Sequence, residues 1–478
     1  MLTSAELRLL DASTLAHRVA NRELSPTEIV EAALRLIETV NPGLFAFTTV
    51  AADQALADAA AMEARLSAGE AAGPLAGVPV PIKDLILTKG LRTTFGSRLY
   101  EHFVPDEDDI VVARLREAGA IIIGKTNVSE FGYGGVGHNP VFPTTRNPWN
   151  PALTSGGSSA GSAVAVATGI APVAMGSDGG GSIRLPAAFN GLFGMKASMG
   201  RVPLWPGCRD ETLPGASGWE SIEHIGPISR TVADAALTLS VISGPDPRDR
   251  HSIPCADVDW LGAAAPGPLN LRAGYIPVWN DLPPDPEVRS ICDMAVRRFE
   301  RDLGCVVEEA EPPPGFDMET FRAAVALDTD RVGLLRLMGT TGAGVSRGVQ
   351  AVLDRRWTAD EFLEAGTRRR AAVNAMARLM ARYDILLTPT VPCLPFALDK
   401  DGPGQIAGRP VADDAWTPAA FPANLTGQPA ASIPAGWTPD GLPVGLQIIG
   451  RHLDDAAVLR VAASFEAIQP WIDRRPPI

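Results

Sequence analysis

One lysine and two serine-bearing glycine turns are the residues of this chain best suited to chemistry. The turns are Gly156-Gly157-Ser158-Ser159 and Gly179-Gly180-Gly181-Ser182, close together in the stretch 154–200. Upstream, Gly77-Val78-Pro79-Val80-Pro81-Ile82-Lys83-Asp84 sets Lys83 behind residues without polar side chains. A lysine, two serines and consecutive backbone N–H groups suffice for acyl transfer: a base, a relay, a nucleophile and an oxyanion hole. As a base, lysine must be neutral, although a free lysine holds its proton to ~10.4. Desolvation by apolar neighbours lowers that value. Asp84 adjoins Lys83, but successive strand side chains point to opposite faces, so the two need not pair.

The elements that must position these groups follow from local pattern. Residues 78–82 read as a short apolar strand that delivers Lys83. Residues 159–168 read as a helix of small residues and 172–176 as a further strand. A helix over 109–118 precedes a buried strand at 120–123. The N-terminal region, 4–70, reads as helical. There Ser25-Pro26-Thr27-Glu28 is a capping box with proline at the first helical position, and Asn41-Pro42 stops that helix. A helix starts at Val232, late strands fall at 384–387 and 445–449, and a last helix covers 456–467. This alternation predicts an α/β fold with a central sheet covered by helices on both faces. The proline-rich segments 245–285 and 310–316 are surface excursions too short to force a break, so residues 1–478 read as a single domain. Residues 317–382 read as a helix-rich insertion, with Arg368-Arg369-Arg370 on a solvated face.

Composition narrows the function classes. The 42 basic and 55 acidic side chains leave a net charge of −13, which argues against nucleic acid as a partner. A 46% hydrophobic content with 20% charged residues is an ordinary globular mixture, and no uncharged apolar window of membrane-spanning length occurs. The N-terminus lacks the continuous apolar stretch of a signal peptide. Cys208, Cys255, Cys292, Cys305 and Cys393 are scattered and form no CxxC pair, which reads as reduced thiols in a cytoplasmic enzyme. The six histidines lie far apart, and neither a metal nor another cofactor is implied.

Three familiar spellings fail on context. Gly119 to Thr126 fits GxxxxGK[ST], but the strand lies between the glycines instead of before them. Gly132 to Gly137 fits GxGxxG, but no helix can follow in His138-Asn139-Pro140. Gly157 to Gly161 fits GxSxG, which would make Ser159 an α/β-hydrolase nucleophile with His452 as its base. The strand expected before that serine is broken by Pro148 and Pro151.

Taken together, Lys83 and the two turns resemble the amidase signature family. The likeness includes Gly124-Lys125-Thr126-Asn127, Arg146-Asn147-Pro148-Trp149, Gly176 to Ala187, Pro422 to Ala430 and Gly441 to Ile448, and runs from about residue 5 to 470. It implies an α/β/α fold with a mixed, largely parallel sheet and a Ser–cis-Ser–Lys triad. Carried over, Ser182 is the nucleophile, Ser158 the relay, Lys83 the base, and the Gly157–Ser158 peptide is cis. The N–H groups of Gly179, Gly180, Gly181 and Ser182 line the oxyanion hole. Ser159, Asp178 and Arg184 support it, with Asp178 anchoring the loop. The chain departs from the usual spelling at Ala160, Ser177 and Gly179, none of which removes a catalytic group.

The resemblance implies an amidohydrolase cleaving the C–N bond of aryl amides, anilides, oligoamides or carbamates through an acyl-serine. The alternative is the glutaminase subunit of a tRNA-dependent amidotransferase, which shares the signature; only 4 tyrosines occur, fewer than that reading expects. The partner is a small-molecule substrate, and a homodimer is compatible with the reading. Phe131, Tyr133, Phe142, Trp205 and Trp219 lie in loops beside the catalytic segments and are candidates for the substrate pocket. The loop 203–219, soon after the nucleophile, reads as a lid.

Overall fold

The computed structural model describes residues 2–207, 210–216 and 219–477. Four residues of the loop 203–219 (208, 209, 217 and 218), Cys208 among them, lie outside the described residues. The strands are β1 (Phe47–Val50), β2 (Pro79–Lys83), β3 (Ile121–Thr126), β4 (Val173–Ser177), β5 (Phe193–Lys196) and β6 (Ile225–Ser229). They continue with β7 (Arg272–Tyr275), β8 (Val306–Glu309), β9 (Ile385–Pro389), the small hairpin β10 (Gln405–Ile406) and β11 (Arg409–Pro410), β12 (Ala430–Trp437) and β13 (Pro443–Gly450).

Among the described residues, eleven strands form one mixed sheet in the order β1-β3-β2-β4-β6-β5-β12-β13-β9-β7-β8. Parallel pairing occurs in two blocks, β3-β2-β4 and β9-β7-β8. The hairpin β12–β13 and its neighbours join these blocks through antiparallel pairs. Helices cover both faces, as the helix–strand alternation predicts. Side chains along β4 alternate between two cores. Val173 and Met175 enter the large core with Ile29, Val30 and Leu239, while Ala174 packs with Ala163, Val166 and Ile183.

The helix Ala160–Ala167 is buried along its whole length and made of small residues. That composition lets its backbone approach its neighbours closely. A Cβ on Gly161 would stand 2.1 Å from the Ala46 carbonyl oxygen and 2.4 Å from the Asn127 nitrogen. Both are backbone atoms that cannot swing aside. Gly161→Ala is therefore expected to cost ~1–3 kcal/mol, read as a lowered melting temperature; an unchanged melting point would refute this packing.

The helix expected to stop at Asn41-Pro42 runs on through Pro42 to Leu44 and ends on Phe45 in the left-handed conformation (φ 53°). Pro42 deletes one hydrogen bond in the final turn, while Phe45 N–H still donates to the Asn41 carbonyl at 2.8 Å. Residues 317–382 contain four helices, Met318–Leu327, Arg331–Thr341, Arg347–Asp354 and Ala359–Met380. Among the described residues, no helix is long and apolar enough to cross a membrane.

Candidate active site

β2 and β4 are parallel neighbours, so Lys83 and Ser177, their last residues, emerge at the same edge of the sheet. Carboxyl ends of parallel strands are where open α/β sheets place ligands. Lys83 is fully buried. Its Nζ donates to Ser158 Oγ at 2.7 Å, Ser177 Oγ at 2.9 Å and the Ser177 carbonyl at 3.0 Å. Burial pushes the Lys83 pKa down, against the smaller upward pull of Glu223 and Asp178.

Burial alone does not single this lysine out, because Lys125 and Lys196 are also fully buried and also pushed down by desolvation. Lys125 Nζ donates to the Ile86 carbonyl and to Thr88 Oγ1. Lys196 Nζ donates to the carbonyls of Gln428 and Ala197. Among the described residues, only Lys83 reaches serine hydroxyls of the two glycine-rich segments. Asp84, on the opposite face, is bonded by Thr94 and feels the charge of Lys125.

The Gly157–Ser158 peptide is cis. A Cβ on Gly157 would stand 2.6 Å from the Val136 carbonyl oxygen, so this turn admits only glycine there. Ser159 fastens the two turns together. Its N–H donates to the Ser182 carbonyl at 3.2 Å, and its Oγ donates to the Ser177 carbonyl at 3.2 Å and accepts from Ser177 N–H at 3.3 Å. Its hydroxyl is thus committed to backbone. His452 lies against the Gly427 carbonyl at 3.2 Å, and among the described residues no hydrogen bond joins it to Ser159. Ser158 and Ser182 sit on adjoining turns, but among the described residues no hydrogen bond links their hydroxyls.

Asp178 organises the second turn. Its carboxylate accepts from Gly181 N–H at 2.7 Å, Ile183 N–H at 3.1 Å and twice from Arg184, at 3.0 and 2.9 Å. Burial pushes its pKa up, but the charge and hydrogen bonds of Arg184 outweigh this and hold it well below the usual carboxylate range. Arg184 also donates to the Ala420 carbonyl, to Asn424 Oδ1 and to Gln447 Oε1. Asn424 Nδ2 returns bonds to the Asp178 carbonyl at 2.7 Å and its carboxylate at 2.9 Å.

One correction concerns Gly181. Its N–H is spent on Asp178 and is not an open oxyanion donor. Its left-handed φ of +117° is what bends the chain. Among the described residues, the N–H groups of Gly179, Gly180 and Ser182 have no protein acceptor. Backbone donors left open in one turn can bind an oxyanion where they converge on it.

Two cavities meet this site. One of about 40 Å³ touches Ser158, Ser177, Gly179 and Glu223, and Phe131 lies in its wall. The other, of about 860 Å³, opens on Ser182 and Gly180 and is walled by Tyr133, Trp219, Phe321, Val325 and Trp416. The ring of Phe321 lies 2.6 Å from where a Gly180 Cβ would stand, so the helix Met318–Leu327 reaches the second turn directly. Leu204, Gly207, Gly215, Ala216 and Trp219 of the loop 203–219 line the small cavity. Phe142 and Trp205 are not brought to either cavity. They lie under the guanidinium groups of Arg92 and Arg248 respectively. The residues that sequence reasoning missed are Glu223, Phe321, Asn424 and Gln447. The last two fall in late segments whose spelling matches the family pattern but carries no role by itself.

Residues 28–459 match the Amidase family. The chain is 36% identical to an acylamidase of Rhodococcus erythropolis, over 99% of this chain and 98% of that protein. It is also 36% identical to a glutamyl-tRNA(Gln) amidotransferase subunit of Thermosynechococcus vestitus, over 97% and 99%. The solved structure of a bacterial aryl acylamidase of the amidase signature enzymes superposes with a TM-score of 0.89 at 31% identity, covering 97% of each chain. The buried lysine on serine hydroxyls, beside a turn of open N–H groups, thus lies in a chain that belongs to the amidase family and is a hydrolase acting on amide C–N bonds.

Proposed function

We propose that Ser182 attacks the amide carbonyl, that Ser158 relays its proton, and that neutral Lys83 receives it. The carbonyl oxygen becomes an oxyanion held by the N–H groups of Gly179, Gly180 and Ser182. The proton returns by the same route to the leaving amine, and water then hydrolyses the acyl-Ser182 ester. The Lys83–Ser158 hydrogen bond of 2.7 Å to a fully buried amine carries this reading. The second link of the relay, from Ser182 to Ser158, is one that forms with substrate bound, since catalytic hydrogen bonds commonly tighten in the substrate complex.

The cavity on Ser182 has room for a bulky, largely apolar amide, because aromatic and aliphatic side chains such as Tyr133, Trp219, Phe321 and Val325 line much of it, while paired charges such as Arg322 with Asp414 lie half-exposed along it. Aryl amides and anilides suit it best, in keeping with the acylamidase relatives, and carbamates undergo the same attack. We place the enzyme in the cytoplasm as one domain carrying the insertion at 317–382. The equally similar amidotransferase relatives support a second reading, a glutaminase active within a complex. Purified chain hydrolysing nitroanilides unaided supports the first; glutaminase activity only with added partner subunits supports the second.

The rate should rise with pH, because the working form of Lys83 is the deprotonated one. Its folded-state pKa is lowered to about 8, so kcat/KM for an anilide is expected to climb through that region and level off above it. A profile flat from pH 6 to pH 10 would rule out Lys83 as the base.

A further inference from the structure

We propose that Glu223 is a positioning residue for Lys83, acting through the Ser177 hydroxyl, and that glycine at 179 is what admits it. The inference rests on Lys83 being the base of the reaction proposed above.

The argument is one of hydrogen-bond direction. A neutral lysine has two N–H bonds and one lone pair. To accept a proton from Ser158, its lone pair must face Ser158 Oγ, 2.7 Å away. Both N–H bonds must then be spent elsewhere, and the two remaining acceptors are the carbonyl and the hydroxyl of Ser177, at 3.0 and 2.9 Å. Ser177 Oγ serves as an acceptor only if its own proton points away from Lys83. Glu223 lies on the same small cavity as Ser158 and Ser177; among the described residues no hydrogen bond joins it to the Ser177 hydroxyl, but that hydroxyl, turned toward it, stabilises its charged form. Drawing the Ser177 proton toward Glu223 turns the oxygen lone pair to Lys83 and leaves the lysine lone pair to Ser158.

Space for this arm comes from Gly179. A Cβ there would stand 2.7 Å from Glu223 Oε2 and 2.1 Å from Trp219 Cε3. Any side chain at 179 would displace both. The charged groups around the arm are few. Lys83 is faced by Glu223 and by Asp178, and Asp178 is already committed to Arg184. Glu223 is faced by Lys83 and Asp178; burial and Asp178 push its pKa up, and Lys83 pulls it down.

Two variants separate charge from acceptor, each assayed on an anilide across pH. Glu223→Gln keeps an acceptor for Ser177 but removes a negative charge facing Lys83. Its acid-limb midpoint is expected to move down by about one pH unit with little change in the alkaline plateau. Glu223→Leu removes the acceptor, and plateau kcat is expected to fall about tenfold with KM nearly unchanged. A midpoint unmoved in Glu223→Gln together with an unchanged kcat in Glu223→Leu overturns the proposal. Ser182→Ala, run in parallel, locates any failure: activity retained there removes the reading of Lys83 itself, whereas activity lost there confines the failure to Glu223.

Discussion

Ser182→Ala is expected to lower kcat on an anilide by about 10⁴-fold or more, because it removes the proposed nucleophile from the turn that carries the open N–H groups of Gly179 and Gly180. Lys83→Met should come close to the same loss at neutral pH. It removes the proposed proton acceptor and also the partner that holds Ser158 at 2.7 Å. In the proposed relay the three groups act as a unit, so the double variant should be scarcely worse than the poorer single one. Steady-state rates for the two single variants and the double variant decide the matter. Wild-type turnover in Ser182→Ala would remove the proposed nucleophile, and multiplicative losses in the double variant would show that lysine and serine work independently.

The second large effect is expected at Arg184. Both Arg184 and Asp178 are fully buried, and they meet at 2.9 Å. Removing one partner of a buried pair leaves the other charge uncompensated, at a cost of about 3–5 kcal/mol. Arg184→Met should therefore lower the urea midpoint sharply and abolish activity, since the Asp178 carboxylate also holds the N–H groups of Gly181 and Ile183. Adding Asp178→Asn removes the stranded charge. The double variant should recover much of the stability while remaining inactive. If Arg184→Met alone melts like the wild type, the pair does not hold the turn in place.

The parts of the site legible in the sequence are those fixed by local pattern. An apolar run ending in Lys83 is β2, and small residues after Ser159 form a buried helix, because each follows from side-chain character over a few residues. Strands β5 and β12 are not legible in this way. Phe193–Lys196 is only four residues long and carries Gly194, while Ala430–Trp437 is interrupted by Pro434 and Gly436. Their pairing partners fix them, and those partners are distant in sequence. The same holds for Asn424 and Gln447, whose bonds to Arg184 span more than two hundred residues. Gly181 illustrates a finer limit. Three consecutive glycines announce a turn with exposed donors, but only the position of the Asp178 carboxylate decides which donor is used up. Phe142 and Trp205 are loop aromatics like Tyr133, and nothing local distinguishes them from it, yet their rings are taken up by arginines. Phe321, from the insertion, lines the pocket instead.

The ties of Arg184 to residues 420, 424 and 447 carry a consequence for synthesis. Lys83, Ser158 and Ser182 have all left the ribosome when less than half of the polypeptide has been made. The guanidinium that steadies the second turn still lacks three of its acceptors, which are translated only near the end. A nascent chain thus carries all three proposed reacting groups before Arg184 has these partners, and the proposed acyl transfer is expected only once the last strands are made.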